Sequence, residues 1–121
     1  MALRGVRGAT TVESNSKEKI WRAARLLITE MMTANDLNVE QIGAAIFSST
    51  EDLTAAFPST GARQLPGFDL VPLFDARQLA IEDSLPRCIR VLLLVDVEKN
   101  ARDICHVYLG EAKKLRPDLN N

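Results

Sequence analysis

The sequence contains a single histidine, His106, and two cysteines, Cys88 and Cys105. One imidazole cannot build a multi-histidine metal site, and a Ser-His-Asp triad would need His106 as its base, for which no nucleophile motif is visible. The cysteines have no CxxC spacing, which indicates ordinary thiols. Covalent catalysis and metal catalysis therefore have no obvious residues in this chain.

A surplus of positive charge and long apolar runs are lacking as well. The formal net charge of -1 leaves no basic excess to neutralise phosphates, so neither nucleic acid nor an anionic membrane is expected as a main partner. No apolar run approaches the roughly 20 residues of a membrane-spanning helix, and the N-terminus has no signal-peptide core. We therefore expect a cytoplasmic protein. Its 121 residues suit one domain over 1–121, with 117–121 as a mobile tail.

The run Val91-Leu92-Leu93-Leu94-Val95 is apolar at every position instead of alternating. A short continuous run with β-branched ends predicts a strand that is buried on both faces. Arg90 stands at the edge of this run, and its guanidinium cannot lose its charge. It therefore needs an anionic partner, which is either an internal carboxylate or an anionic ligand.

The remaining patterns predict an α/β (α+β) fold in which a mixed β-sheet packs with one long helix and short helices. One long helix can cover only one face of such a sheet, although the strands at 42–48 and 89–95 are apolar on both faces. Other copies of the chain are therefore expected on the second face. The predicted strands are 3–12, 42–49, 68–74, 87–95 and 104–109, of which 68–74 is an edge strand or carries a bulge because of Pro72. The long helix is 17–33, after Asn15 or Ser16. A short helix begins at Pro58, residues 75–78 form a turn or helical bend, and 111–115 form a helical turn.

Arginines recur near the predicted strand ends, together with one tyrosine and one aspartate. Guanidinium groups bind carboxylates through two parallel hydrogen bonds, so this set suits a small polyanion. It also suits a reaction that is driven by fixed positive charge where negative charge develops. The residues are Arg7, Arg63, Arg90, Arg116, Tyr108 and Asp75.

Several blocks along nearly the whole chain are distinctive in combination: RGVRGATTV at 4–12, AFP at 56–58, Arg63, CIRV at 88–91, HVYL at 106–109 and LRPDL at 115–119. In these blocks the sequence resembles the small trimeric chorismate mutases, the bacterial class distinct from the all-helical one. The resemblance implies a homotrimer that forms a pseudo α/β barrel, with active sites in clefts between chains. It also implies an isomerase of the shikimate pathway and of aromatic amino-acid biosynthesis, which rearranges chorismate to prephenate without a cofactor.

The same resemblance implies roles for individual residues, with Arg90, Arg7 and Asp75 as the catalytic group. Arg90 is expected at the breaking ether oxygen and the side-chain carboxylate, which Arg7 and Tyr108 also hold. Phe57 and Leu115 are expected to line the cleft, and Arg63 and Arg116 to lie near its mouth. The full set of expected substrate-binding residues is Arg7, Phe57, Ser59, Thr60, Arg63, Leu73, Phe74, Asp75, Gln78, Arg90, Tyr108, Leu115 and Arg116.

The chain departs from the family pattern at three of these positions. Gln78 stands where the family often has glutamate, Asp75 where it often has a small neutral residue, and Thr60 where it often has lysine. We interpret this as a carboxylate moved from position 78 to 75, where it accepts the substrate hydroxyl and orients Arg90; the alternative is that Asp75 is a plain turn residue. Two other functions stay open: a ligand-binding or imine-processing trimer of similar architecture, and a purely structural trimer.

Overall fold

A five-stranded mixed sheet organises the computed structural model, which describes residues 2–115. The strands are β1 (Leu3–Thr11), β2 (Ile42–Ser49), β3 (Leu73–Arg77), β4 (Cys88–Asp96) and β5 (Val107–Tyr108), in the spatial order β3-β2-β4-β1-β5. The central strand β4 is antiparallel to β1 and β2, while the edge strands β3 and β5 run parallel to their neighbours. The continuous apolar run of β4 therefore lies in the middle of the sheet, as predicted.

One long helix, α1 (Lys17–Ala34), covers one face of the sheet. The Ser16 side chain accepts a hydrogen bond from the Lys19 backbone N–H at 3.3 Å and so caps the helix. The predicted helix and its cap are thus confirmed. No helix among residues 2–115 has both the length and the apolar character needed to cross a membrane.

Shorter helical segments connect the strands. The helix α2 (Pro58–Arg63) begins with proline at its first position, as predicted. Four 3₁₀ turns complete the described chain: Val39–Gln41, Phe68–Leu70, Ala101–Asp103 and Gly110–Leu115.

The strands alternate between a core beneath α1 and a second, less covered face. Val91, Leu93 and Val95 of β4 are buried with α1, whereas Leu92 and Leu94 are only half-buried. We call this second side the open face, and the strand register identifies its rows because paired residues share a face. The rows are Arg7, Leu92, Ile46 and Phe74, and then Tyr108, Ala9, Arg90, Ser48 and Ala76.

Three sequence-based boundaries are wrong. The predicted strand 68–74 is instead the turn Phe68–Leu70 followed by β3, because Gly67 adopts φ 82° and Phe68 enters the core. The predicted bend at 75–78 continues β3 through Arg77, since pairing with β2 outweighs the local turn preference. The predicted strand 104–109 shrinks to Val107–Tyr108, because the side chain of Ile104 is drawn into the core.

Candidate active site

Arg90 lies on β4 between Ala9 and Ser48, and its side chain is half-buried. Its Nε atom is buried without a hydrogen-bond partner. No carboxylate among residues 2–115 forms an ion pair with it. Desolvation by burial raises the pKa of the neighbouring Cys88 thiol, although Arg90 opposes the shift, so this thiol stays neutral. Among the described residues, the structure therefore offers Arg90 no internal carboxylate as a partner.

A cavity of about 250 Å³ opens beside Arg90 on the open face. Arg7 and Tyr108 line it, and the Tyr108 hydroxyl is a second buried polar atom without a hydrogen-bond partner. Two arginines and one tyrosine therefore line one small space. Such a set of donors matches a carboxylate.

The last described turn covers one end of this group. Leu115 packs against Ala9, Tyr108 and Ala112 in a small cluster separate from the main core. The structure thus brings Leu115 to the same side as Tyr108, where a cleft wall is expected. Arg116 and the tail 117–121 lie outside the described residues.

A second group of predicted residues surrounds α2 and β3. Phe57 and Asp75 line a cavity of about 500 Å³ together with Pro58, Ala76 and Arg77. Phe57 and Phe74 are 67% and 64% exposed, which is unusual for phenylalanine and leaves both rings available to a partner. Ser59, Thr60 and Arg63 belong to α2, and Leu73 begins β3 beside them.

Asp75 is bound within this second group. Its carboxylate accepts hydrogen bonds from the backbone N–H of Ser59, at 3.3 Å, and from the Ser59 hydroxyl. It pairs in register with Phe47, whose side chain is buried in the core on the side of the sheet opposite Arg90. Asp75 and Arg90 of one chain therefore lie on opposite sides of the sheet. The alternative that Asp75 is a plain turn residue is wrong, because Asp75 belongs to β3.

Within one chain, the two groups line separate cavities. The cavity beside Arg90 and the cavity beside Phe57 share no lining residue. The structure brings together Arg7, Arg90, Tyr108 and Leu115 as one half of the predicted site. It brings together Phe57, Ser59, Thr60, Arg63, Leu73 and Asp75 as the other half, whereas Phe74 lies on the open face in the row of Arg7.

Gln78 directly follows β3 and extends its pairing, because its backbone N–H donates to the Ser49 carbonyl at 3.1 Å. Its Oε1 atom is buried without a hydrogen-bond partner. Residues three apart on an extended chain point to opposite sides, so Asp75 and Gln78 do not share a face as the predicted helical bend required. Alternation places Gln78 on the side of Ala76, which belongs to the open face.

Sequence reasoning missed Ser48 and Ile46, which line the cavity beside Arg90. Ser48 is the direct neighbour of Arg90 across the sheet, and the two are 42 positions apart in the chain. Alternation along β2 indicates that Ser48 and Ile46 share a face, but only the register identifies their neighbours. Among residues 2–115, no group of three or more His, Cys, Asp or Glu side chains is placed to hold a metal ion.

The five-stranded mixed sheet with one open face is that of the pseudo α/β-barrel class of chorismate mutases, to which a similar solved structure belongs. The chain belongs to the chorismate mutase type I family, whose model matches residues 3–119. Its activity is accordingly that of a chorismate mutase, which belongs to aromatic amino-acid biosynthesis. The enzyme prediction and the pseudo α/β-barrel fold class are thereby confirmed.

Individual relatives agree with this assignment. The chain is 48% identical to the chorismate mutase AroH of Thermus thermophilus over 120 residues, which cover 98% of each chain. It is 36% identical to the chorismate mutase AroH of Bacillus subtilis (strain 168), with 99% of this chain and 94% of that protein covered. A solved chorismate mutase from Clostridium thermocellum superimposes with a TM-score of 0.88 at 39% identity, over 91% of this chain and 97% of that one.

Proposed function

We propose that this chain converts chorismate to prephenate, in the cytoplasm, in clefts between the subunits of a homotrimer. The observation that carries the proposal is the half-buried Arg90 guanidinium, whose Nε atom has no hydrogen-bond partner, in a cavity shared with Arg7 and Tyr108. A partly desolvated cation without an anion is costly, and a dianionic substrate relieves that cost on binding.

The division of the site into two halves supports the assembly. Within one protomer, the cavity beside Arg90 is separate from the cavity beside Phe57 and Asp75. The open face also leaves Phe74, Leu92 and Leu94 incompletely covered. Packing the open faces of three chains around one axis buries these side chains and lets the Phe57 half of one subunit close over the Arg90 half of the next.

Arg90 acts on the bond that breaks. As the ether C–O bond of chorismate lengthens, its oxygen gains partial negative charge, and a fixed guanidinium nearby stabilises that charge more than it stabilises the ground state. Arg7 and Tyr108 hold the side-chain carboxylate, which also contacts Arg90. All three donors sit on strands, so little reorganisation is needed during the reaction.

The remaining residues restrict the conformation of the substrate. Phe57 and Leu115 line the cleft and hold the enolpyruvyl arm of the substrate over its ring. The bound substrate is thereby restricted to a near-attack geometry and no longer samples open conformations. Arg116 approaches the mouth from the C-terminal tail. Ser59, Thr60, Arg63, Leu73 and Phe74 complete the wall supplied by the adjacent subunit, and no cofactor takes part.

Asp75 and Gln78 approach the substrate from different subunits. Asp75 lies in the α2 half of the site, whereas Gln78 follows β3 on the open-face side with its Oε1 unpaired. Each can accept a hydrogen bond from the ring hydroxyl of the substrate, and the charged carboxylate is the stronger acceptor.

The test follows the ultraviolet absorbance of chorismate with the parent enzyme and with Arg90→Ala and Arg90→Lys. Losing one donor to a developing charge typically lowers kcat by roughly 10²–10³, and losing a full cation in a dry cleft should lower it further. Arg90→Lys keeps the charge but loses the planar fork, so it should stay severely impaired. The matched control is Arg102→Ala, an exposed arginine on a distant 3₁₀ turn. A lysine variant within about threefold of the parent kcat would contradict the role of Arg90.

A further inference from the structure

The strand β5 is only two residues long, yet it carries Tyr108. Its ladder with β1 consists of the pairs Gly8 with Val107 and Ala9 with Tyr108, extended by a hydrogen bond from the Leu109 N–H to the Ala9 carbonyl at 2.9 Å. So short an edge strand frays readily, because few backbone hydrogen bonds hold it. Additional contacts are needed to hold Tyr108 in register beside Arg7.

One such contact is made by the imidazole of His106, immediately before β5. Its Nδ1 atom accepts a hydrogen bond from the backbone N–H of Arg7 at 3.0 Å. Arg7 lies one residue before the first pair of the ladder, so the ring supplies the acceptor that a carbonyl of a longer β5 would supply. A nitrogen that accepts carries no proton, so the bond requires the neutral ring with its proton on Nε2.

A second contact fixes the chain that leads into His106. The Asn35 side chain is buried, and it accepts from the Cys105 N–H at 2.7 Å and donates to the Cys105 carbonyl at 2.8 Å. Its amide also donates to the Met31 carbonyl at 2.9 Å, which ties Cys105 to the end of α1. The backbone of His106 therefore starts from a fixed point, and its ring is directed at β1.

From this geometry we propose that His106 is a positioning residue for the Arg7–Tyr108 pair. The ring is not among the side chains that line the cavity beside Arg90, so it acts through the backbone of Arg7 and the register of β5. The inference rests on the proposed function, in which Arg7 and Tyr108 together hold the substrate carboxylate. Without the Nδ1 acceptor, β5 loosens and the two donors no longer converge.

The consequence concerns binding more than chemistry. Arg7 and Tyr108 hold a carboxylate that is charged in both the ground state and the transition state, so loosening them raises KM more than it lowers kcat. One neutral hydrogen bond contributes about 0.5–1.5 kcal/mol, which corresponds to a roughly 2–13-fold increase in KM for His106→Ala. We expect kcat to change by less than about twofold.

Two further variants separate the acceptor from the side-chain volume. In His106→Asn, the Oδ1 atom takes the branch position of Nδ1 and accepts the Arg7 N–H, so KM should return to within about twofold of the parent. In His106→Gln, the acceptor is one bond farther from the backbone, and KM should stay close to that of His106→Ala. Far-ultraviolet circular dichroism and the thermal midpoint, at matched protein concentration, monitor folding in all three variants.

A double-mutant comparison tests whether His106 acts through Arg7. Because Arg7→Ala removes the side chain that His106 positions, the factor by which His106→Ala lowers kcat/KM should shrink in that background. An undiminished factor would overturn the inference, as would an unchanged KM in His106→Ala or failure of His106→Asn to recover. The single variants Arg7→Ala and Tyr108→Phe serve as the reference. If both leave KM unchanged, the proposed function is wrong. If both raise KM and His106→Ala does not, only the proposed role of His106 is wrong.

Discussion

Asp75 is the residue whose role changes most between sequence and structure. Its carboxylate holds Ser59 at the N-terminal end of α2, where the residue preceding the helix, Phe57, offers no side-chain acceptor. A carboxylate at the first turn also interacts favourably with the helix dipole. Asp75 therefore fixes α2 to β3 as well as presenting charge to the cavity beside Phe57.

We predict that Asp75→Ala loses more kcat/KM with chorismate than Gln78→Ala. A hydrogen bond to a charged group contributes about 1.5–3 kcal/mol, against about 1 for a neutral one, so roughly 10–100-fold is expected for Asp75→Ala. Asp75→Asn keeps an acceptor for the Ser59 N–H without the charge and should lie in between. Steady-state kinetics of the three variants measure this order. Asp75→Ala turning over chorismate like the parent would mean that the carboxylate serves neither the substrate nor α2.

At the scale of elements, α2 has six residues and depends on its neighbours for its position. Besides the Asp75 contact, it packs closely on α1 at Gly61, where an added Cβ would lie 2.6 Å from the Trp21 carbonyl oxygen. That oxygen belongs to the backbone and cannot move aside cheaply. Gly61 therefore sets the distance between the two helices, and with it the place of Phe57 and Arg63.

We predict that Gly61→Ala destabilises the protein by about 1–3 kcal/mol, as overpacking typically does. The matched control is Gly43→Ala on β2, where an added Cβ would lie 3.6 Å from the Leu94 carbonyl oxygen, an ordinary contact. Thermal unfolding at equal protein concentration should show a clearly lower Tm for Gly61→Ala than for Gly43→Ala. Equal midpoints would show that α2 does not depend on this close approach.

At the scale of the whole molecule, the open face and the divided site have one common explanation. Apolar side chains on the second face of a sheet need a cover, and α1 provides it on one side only. If other subunits provide it, each cleft combines the Arg90 half of one chain with the Phe57 half of another. Neither half should be active alone.

We predict that a mixture of two impaired variants recovers activity. Arg90→Ala and Asp75→Ala, unfolded and refolded together in equal amounts, should form hybrid trimers in which about a quarter of the clefts contain two intact halves. The chorismate turnover of this mixture should exceed the average of the two variants refolded separately. Sedimentation should show a trimer throughout. A folded monomer at micromolar concentration, or no gain on mixing, would argue for a site within one chain.

The sequence by itself determined the elements whose pattern is local. The continuous apolar run of β4, the stripe of α1 with its Ser16 cap, and Pro58 at the start of α2 each depend on residues a few positions apart. The resemblance of its motifs added the family and most of the candidate site residues. Arg90 was identified as needing an anion, because a charge beside an apolar run requires a partner wherever the strand lies.

Only the tertiary structure decided which residues meet. The register of β4 with β2 places Ser48 beside Arg90, and β2 draws residues 75–77 into a strand, so that Asp75 and Gln78 face opposite sides. The hydrogen bond from Arg7 to His106 joins residues 99 positions apart. The local periodicity of a sequence indicates which side chains are buried. Contacts across strands depend instead on the pairing of segments that are distant in the chain, and no short stretch of sequence encodes that pairing.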